Sequence, residues 1–209
     1  MTLNKLNRFT TLPVLFDLLR TKRFTFGNPE YWPDKNDSEL LLEYGKRRRG
    51  ARIYAICFLE GNETIHHWNA FASGMDGCCI EFDAAGLKSA FLNLGVKCED
   101  VEYMKLDDPL PSVDKFPFTK REPYTCEGEV RAIWEGRKNS HGYVAKIDLG
   151  LIRKITISPT MPEELFPIIR NYLRDKFKVR AKINHSTIFR NCKWIQKFRD
   201  APPNGRAST

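Results

Sequence analysis

The sequence predicts a single α+β domain, in which a central mixed or antiparallel β-sheet is flanked by helices. The length of 209 residues suits one substantial hydrophobic core. Hydrophobic residues make up 42% of the chain and aromatic residues 12%, as in a folded protein. Segments with the alternation of strands outnumber those with helical spacing, and the first helices each lie between strands, which is typical of an α+β protein.

The expected domain covers residues 1–200, and the polar stretch 201–209, with its Pro and Gly residues, predicts a disordered tail. No apolar run approaches the ~20 residues that a bilayer crossing requires, and the N-terminus shows no signal-peptide pattern. The six cysteines form no C-x-x-C pair, so buried free thiols are expected rather than metal ligands or disulfides. We therefore expect a cytoplasmic protein without membrane contact.

The N-terminal part alternates between strand and helix. An extended segment at 6–11 precedes a helix with Pro13 in its first turn, and an alternating strand that begins at Arg23 is ended by Asn28 and Pro29. A helix-like segment at 39–44 and a buried strand at 52–59 come next. The apolar positions of the first helix are Leu12, Leu15, Phe16 and Leu19.

The central part is expected to add one helix and several strands. Ile65, Trp68 and Ala72 share one face of the helix, which also carries His66 and His67. The strands are expected at 78–82, 101–104, 129–134, 144–149 and 154–158.

The last predicted helix has the clearest start signal. Thr160 and Glu163 form a capping box, and Pro167 is expected to distort the early turns. A strand at 180–184 and a short closing helix within 186–198 complete the prediction.

The net charge of +8 is concentrated near the C-terminus. From Leu151 onward the chain has 13 Lys and Arg residues against 4 Asp and Glu residues. This asymmetry favours a polyanion or a phosphate-rich ligand near that end, and a solvated basic face is the ordinary alternative.

The most informative motif places two glutamates on either side of a glycine. Alternation puts Glu127, Glu129 and Arg131 on one side of an extended segment. Two carboxylates at this spacing can reach one ligand, where they polarise a hydroxyl group and stabilise a developing cation. The alternative interpretation, a solvated strand edge, is the commoner origin of this pattern.

A second candidate lies on the first strand. Arg8 can hold a phosphate or pyrophosphate group with two hydrogen bonds, and Thr10 can add a hydroxyl group. An exposed Arg on an edge strand is the alternative. The acidic segment with Asp34 and Asp37 lacks the spacing of a calcium loop, so we expect a polar turn rather than a metal site.

Several motifs follow one another in an order that resembles a bacterial family known as a domain of unknown function. That family begins with Y-R-Y-T-S-L, continues with F-x-D-x-x-D and has a late E-x-E-x-R strand. The chain departs from it at Asn7, Phe9 and Phe71, where tyrosines are more common. The matching motifs are Arg8-Phe-Thr-Thr-Leu-Pro, Trp32-x-Asp34-x-x-Asp37 and Glu127-x-Glu129-x-Arg131.

The order of a strand with Arg8, a helix, a second strand and a late E-x-E strand start is also similar, more loosely, to the ADP-ribosyltransferase superfamily. This resemblance implies an ADP-ribosyltransferase-like fold and NAD as cofactor. Arg8 and Thr10 would bind its phosphate or ribose, Glu129 would be catalytic and Glu127 would be its partner. The central block that holds the nicotinamide side would be Trp68, Phe71 and Ser73.

The leading hypothesis is an NAD-dependent ADP-ribosyltransferase-like effector, a toxin or phage-defence protein, that modifies nucleic acid (RNA or DNA) or protein and has an antitoxin or chaperone as partner. Two alternatives stay open. A metal-dependent nuclease would draw its ligands from Asp34, Asp37, Glu127 and Glu129, with Lys120 or Arg131 at the phosphate. A non-catalytic module would bind nucleic acid through Phe189, Trp194 and Phe198, for which core packing is the ordinary alternative.

Overall fold

A nine-stranded β-sheet organises the fold. The computed structural model describes residues 5–136 and 142–201, so residues 202–209 of the predicted tail lie outside the described part. The strands are β1 (Lys5–Thr11), β2 (Arg23–Gly27), β3 (Arg52–Leu59), β4 (Gly77–Asp83), β5 (Lys97–Asp100), β6 (Glu102–Met104), β7 (Thr119–Arg121), β8 (Glu129–Gly136), β9 (Gly142–Lys146), β10 (Ile152–Ile157) and β11 (Lys182–His185). The helices are α1 (Leu12–Thr21), α2 (Lys35–Arg47), α3 (Ile65–Phe71), α4 (Ala84–Asn93), α5 (Phe166–Phe177) and α6 (Cys192–Arg199).

The sheet is mixed, which confirms the predicted α+β class. Its order is β11-β10-β4-β1-β3-β2-β9, and β8 pairs with β3 and β5. Strands β10 and β11 are parallel, whereas the other pairs of this sheet are antiparallel. Strands β6 and β7 form a separate parallel pair.

The sheet divides at β3. Strand β1 pairs with β4 along its whole length but meets β3 at a single register position, Asn7 opposite Leu59. Strand β2 likewise meets β3 only at Gly27 opposite Ala55. Strand β3 instead pairs over its full length with β8. Strands β1 and β2 diverge from β3 beyond their single pairing positions and leave a cleft beside it.

The main hydrophobic core is formed by the sheet together with α1, α4 and α5. The rings of Phe24, Phe58, Phe82 and Phe91 pack with centroids 5.4 to 6.0 Å apart. Burying one such side chain contributes roughly 1.5–3 kcal/mol. This packing joins β2, β3 and β4 to α4.

Helix α2 begins earlier than the predicted segment 39–44. The carboxylate of Asp34 accepts hydrogen bonds from the backbone N–H groups of Asn36 and Asp37, which makes Asp34 the N-cap. The expectation of a polar turn at Asp34 and Asp37 is therefore wrong, because the acidic segment starts a helix and places Asp37 in its first turn.

The predicted capping box is also wrong. Helix α5 begins at Phe166, and the Thr160 hydroxyl instead lies 2.9 Å from that of Ser158 in the preceding turn. Pro167 therefore lies in the first turn, where a missing N–H group costs nothing, and it does not distort the helix.

Two expectations from composition concern membranes and cysteines. None of the helices in the described part of the chain combines the length and the apolar character that crossing a bilayer requires. All six cysteines are free, but Cys126 and Cys192 are exposed rather than buried.

Candidate active site

A cleft of about 950 Å³ lies where the sheet divides. Its walls are β1, β2, β3, the start of α2 and residues between Lys120 and Glu129. The structure thus brings the first strand and the late E-x-E segment to one space. The predicted site residues that line the cleft are Arg8, Thr10, Phe71, Glu127 and Glu129.

Arg8 is a half-buried cation in the cleft wall. Its Nη1 donates to the backbone carbonyl of Cys57, 3.2 Å away across the gap between β1 and β3. Burial lowers the pKa of Arg8, but an arginine stays charged in proteins. Among the described residues no carboxylate forms an ion pair with it, so its other N–H groups are available to an anion such as a phosphate. The alternative of an edge strand is wrong, because β1 lies between β4 and β3.

Glu129 and Arg131 form a buried ion pair at the start of β8. Arg131 donates from Nε to Oε1 of Glu129 at 2.6 Å and from Nη2 to Oε2 at 3.0 Å. Arg131 also donates to Oδ2 of Asp37 at 2.9 Å. Burial alone would raise the pKa of Glu129, but Arg131 and then Lys120 lower it to about 2. Glu129 is therefore ionised at neutral pH.

Lys120 joins three carboxylates at the edge of the cleft. Its Nζ lies 2.6 Å from Glu127, 3.3 Å from Glu129 and 3.4 Å from Asp37. The same ammonium group stands 4.5 Å from the centre of the Tyr124 ring. A buried cluster of five charges costs desolvation energy, and clusters of this kind in a cleft wall are typical of functional sites.

The two glutamates differ in their readiness to take a proton. Burial raises the pKa of Glu127, and Lys120 offsets this only in part. Glu129 has the opposite shift because Arg131 holds both of its oxygens. Two carboxylates whose environments move their pKa values apart can divide the work of a reaction between an ionised stabiliser and a proton acceptor.

The interpretation of the E-x-E motif as a solvated strand edge is wrong. All three residues are buried: Glu127 is 5% exposed, Glu129 is 4% exposed and Arg131 is fully buried. Glu127 also precedes the strand, because Gly128 takes a left-handed φ of 57° and turns the chain into β8. The N–H group of Glu129 then donates to the hydroxyl of Tyr103 at 2.8 Å, which fixes the start of the strand.

Several residues of the site were not predicted in these roles. On sequence grounds Asp37 and Lys120 belong to a site only under the nuclease alternative, Trp32 belongs only to a motif of the family resemblance, and Tyr103 and Tyr124 have no assigned role. The capping pattern at Asp34 was the one local signal, since it places Asp37 on the first turn of α2. The tyrosines gave no signal, because their hydroxyl groups reach the site only through tertiary contacts.

Two predicted cofactor-binding residues do not line the cleft. Trp68 is buried behind Phe9, with ring centroids 5.0 Å apart, and its Nε1 donates to Glu63 at 2.7 Å. Ser73 is exposed in the segment after α3. Phe71, at the end of α3, is the member of the predicted central block that faces the cleft.

The carboxylates considered for a metal-dependent nuclease are engaged with cations of the chain itself. Asp37, Glu127 and Glu129 converge on Lys120, and Asp37 and Glu129 also bind Arg131. Within the described ranges, no three His, Cys, Asp or Glu side chains are grouped so as to hold a metal ion. A divalent cation at this position would have to displace the ammonium group of Lys120.

Comparisons with known proteins give a remote structural likeness. No family model and no curated protein matches the chain, so the resemblance to the domain of unknown function is not confirmed. Solved structures that it resembles include DarT from Thermus sp. 2.9 in complex with NAD+, at 11% identity and a TM-score of 0.45, over 88% of this chain and 95% of that one. The DarT complex with ADP-ribosylated ssDNA is 10% identical, with a TM-score of 0.46 over 88% of this chain and 94% of that one. The complex with carba-NAD+ is 8% identical, with a TM-score of 0.44 over 89% of this chain and 96% of that one. At TM-scores below 0.5 this likeness assigns neither a ligand nor an activity to the chain.

Proposed function

We propose that this protein is an NAD-dependent ADP-ribosyltransferase that transfers ADP-ribose to a nucleic acid or a protein. The observation that carries the proposal is the cleft itself, in which Arg8 on β1, a cation with no carboxylate partner among the described residues, lies in the same space as the buried pair Glu127 and Glu129. Binding the phosphates of a dinucleotide requires a cation, and breaking its glycosidic bond requires a carboxylate that stabilises the developing positive charge. The cleft supplies both.

The described residues fit NAD as a substrate. Arg8 and Thr10 would hold the pyrophosphate or the adjacent ribose, because Arg8 has free donors and Thr10 adds a hydroxyl group. The rings of Phe9, Phe71 and Trp32 line the same cleft and offer apolar faces to the aromatic ends of a dinucleotide. The volume of about 950 Å³ lies within the roughly 300–1,000 Å³ of small-molecule sites.

The proposed reaction breaks the bond between C1′ of the ribose and the nicotinamide nitrogen, which leaves with the electron pair. Glu129, ionised in a low-dielectric site, would stabilise the positive charge that develops at C1′. An acceptor hydroxyl or amino group would then form the new bond to C1′ and pass its proton to Glu127. Lys120 would keep Glu127 ionised beforehand, because it lies 2.6 Å from that carboxylate.

The DarT structures contain NAD+ and ADP-ribosylated ssDNA, which are the substrate and one kind of product of the reaction that we propose. We extend the proposal to a toxin or phage-defence effector of the cytoplasm, held in check by an antitoxin or chaperone, because covalent modification of nucleic acid or protein would harm the cell that contains it. The support for the enzyme itself is the geometry of Arg8, Glu127 and Glu129.

The test is to incubate the purified protein with radiolabelled NAD and separate pools of RNA, DNA and cell protein under metal-free conditions. Wild type should label one pool, which identifies the acceptor, and Glu129→Gln that is folded by circular dichroism should label none. The exposed Glu164→Gln is the matched control and should behave as wild type. No labelling by folded wild type, with nucleic acid degraded once Mg²⁺ or Mn²⁺ is added, would replace the transferase by the nuclease.

A further inference from the structure

The C-terminal helix α6 exposes its apolar face. None of its residues is buried. Trp194 is 59% exposed and Phe198 is 60% exposed, and their rings contact each other edge-on with centroids 4.9 Å apart. Phe189 in the preceding segment is 51% exposed. The expectation that these aromatic residues pack in the core is therefore wrong, and an exposed aromatic cluster of this kind marks a binding surface.

The helix that carries these rings also carries three cations. Lys193, Lys197 and Arg199 lie on the same eight-residue helix. In the part of the chain that the structure describes, none of the three forms an ion pair, whereas Arg190 is paired with Glu163 at 2.8 Å. The surface therefore combines aromatic faces with unneutralised positive charge, which is the composition of a site for nucleic acid.

A groove of about 760 Å³ runs between α6 and the residues before it. The side chains of Asn191 and Gln196 line the groove beside Trp194. Its one carboxylate, Glu63, already accepts hydrogen bonds from Ser186 and Trp68, each at 2.7 Å. Glu63 is therefore engaged within the chain, and Arg199 is a cation in the groove lining that has no ion-pair partner among the described residues.

We propose that this groove, which we call the α6 groove, binds single-stranded nucleic acid. Trp194 and Phe189, which line the groove, would stack on bases there, and Arg199 would contact a phosphate. Phe198, Lys193 and Lys197, which are exposed on α6 outside the groove lining, would extend the contact along the helix. The strand must be single because the bases of a duplex stack on each other and leave no face for a side chain. The proposal does not depend on the transferase activity, since the groove is separated from the cleft by Trp68 and Phe9.

The test is the fluorescence anisotropy of a labelled 20-nucleotide oligothymidylate with the full chain. Trp194→Ala should weaken binding at least about fivefold and the double variant with Phe198→Ala more strongly, because a stacked base contributes that much per ring. The control is Leu110→Ala, which removes an apolar side chain that is 83% exposed elsewhere. Circular dichroism should be unchanged, since the replaced side chains are largely exposed.

Salt dependence tests the cations separately. Replacing Lys193, Lys197 and Arg199 by Gln should reduce the slope of log affinity against log salt concentration by about 0.7 for each lost phosphate contact. Exposed Lys176→Gln, which lies on α5, should leave the slope unchanged.

Three results would overturn the proposal. They are wild-type affinity in the aromatic double variant, tighter binding of a duplex of equal length, and binding of anionic phospholipid vesicles without binding of the oligonucleotide. Glu129→Gln should bind the oligonucleotide like wild type, so that loss of transferase activity and loss of the groove are distinguishable.

Discussion

Arg131→Met should destabilise the protein strongly, because it removes a positive charge from a buried cluster. Arg131 is fully buried, and its guanidinium donates to Glu129 at 2.6 and 3.0 Å and to Asp37 at 2.9 Å. Removing one partner of a buried ion pair costs about 3–5 kcal/mol. Each kcal/mol lowers the Tm of a protein of this size by roughly 2–4 °C, so the Tm should fall by roughly 6–20 °C.

The same ion pair makes the wild-type protein sensitive to acid. Burial would raise the pKa of Glu129, but Arg131 and Lys120 lower it from 4.5 to about 2. A carboxylate with a lowered pKa in the folded state contributes stability that is fully present above pH 4.5 or so and is lost as the pH falls through about 2. At 1.36 kcal/mol per pKa unit this contribution is about 3 kcal/mol at pH 7, which agrees with the lower end of the mutational estimate.

The assay is urea unfolding at pH 7 and pH 3.5, followed by tryptophan fluorescence. Arg131→Met should lose about 3–5 kcal/mol at pH 7 and come closer to wild type at pH 3.5, where Glu129, left with Lys120 as its remaining cation, takes up a proton more readily. The double variant Arg131→Met/Glu129→Gln should regain part of the loss, since no charge is left unpaired. Arg20→Met is the control, because Arg20 pairs with Asp17 in solvent, where such pairs contribute about 0.2–1 kcal/mol. A loss below about 1 kcal/mol in Arg131→Met would refute the reasoning.

Four further predictions follow from the site and its supports. Arg8→Gln should weaken NAD binding at least about tenfold by calorimetry, since a charge-assisted hydrogen bond contributes about 1.5–3 kcal/mol; unchanged affinity would remove Arg8 from the phosphate site. Glu127→Gln should keep the release of nicotinamide from labelled NAD but lose transfer to the acceptor, and equal loss of both would argue against its role as proton acceptor. Gly128→Ala should lower stability in urea by about 1–2 kcal/mol, because φ is 57° there, and an unchanged midpoint would contradict this. Asp34→Ala should cost about 1 kcal/mol in the same assay through the lost helix cap, and no loss would show that its two hydrogen bonds contribute nothing.

Much of the fold could be predicted from local patterns. Strand β3 lies where predicted, at 52–59, because a continuous apolar run with β-branched residues has few alternatives to a buried strand. Helix α4 was missed, since its residues 84–93 show little contrast between an apolar and a polar face. Strand β5 was missed because three of its four residues are charged, and it forms through pairing with β8.

The candidate site was predictable only in part. The spacing of Glu127, Glu129 and Arg131 singled out one segment, and Arg8 singled out another, but local spacing gave the wrong environment for both. A carboxylate on a solvated edge strand needs no partner in the protein. Glu129 is 4% exposed, and a carboxylate that is buried to this extent must have a cation beside it.

The sequence by itself determined the α+β class, most strand positions and the residue types that could bind phosphate or carry a proton. Only the tertiary structure decided that Lys120 joins Asp37 and Glu129 and that Arg8 donates to the Cys57 carbonyl without a carboxylate partner among the described residues. It also decided that Trp68 is a core residue and that Trp194 is exposed. The physical reason is that periodicity reports which face of an element is apolar, whereas burial, ion pairing and pKa depend on which distant segments pack against that face.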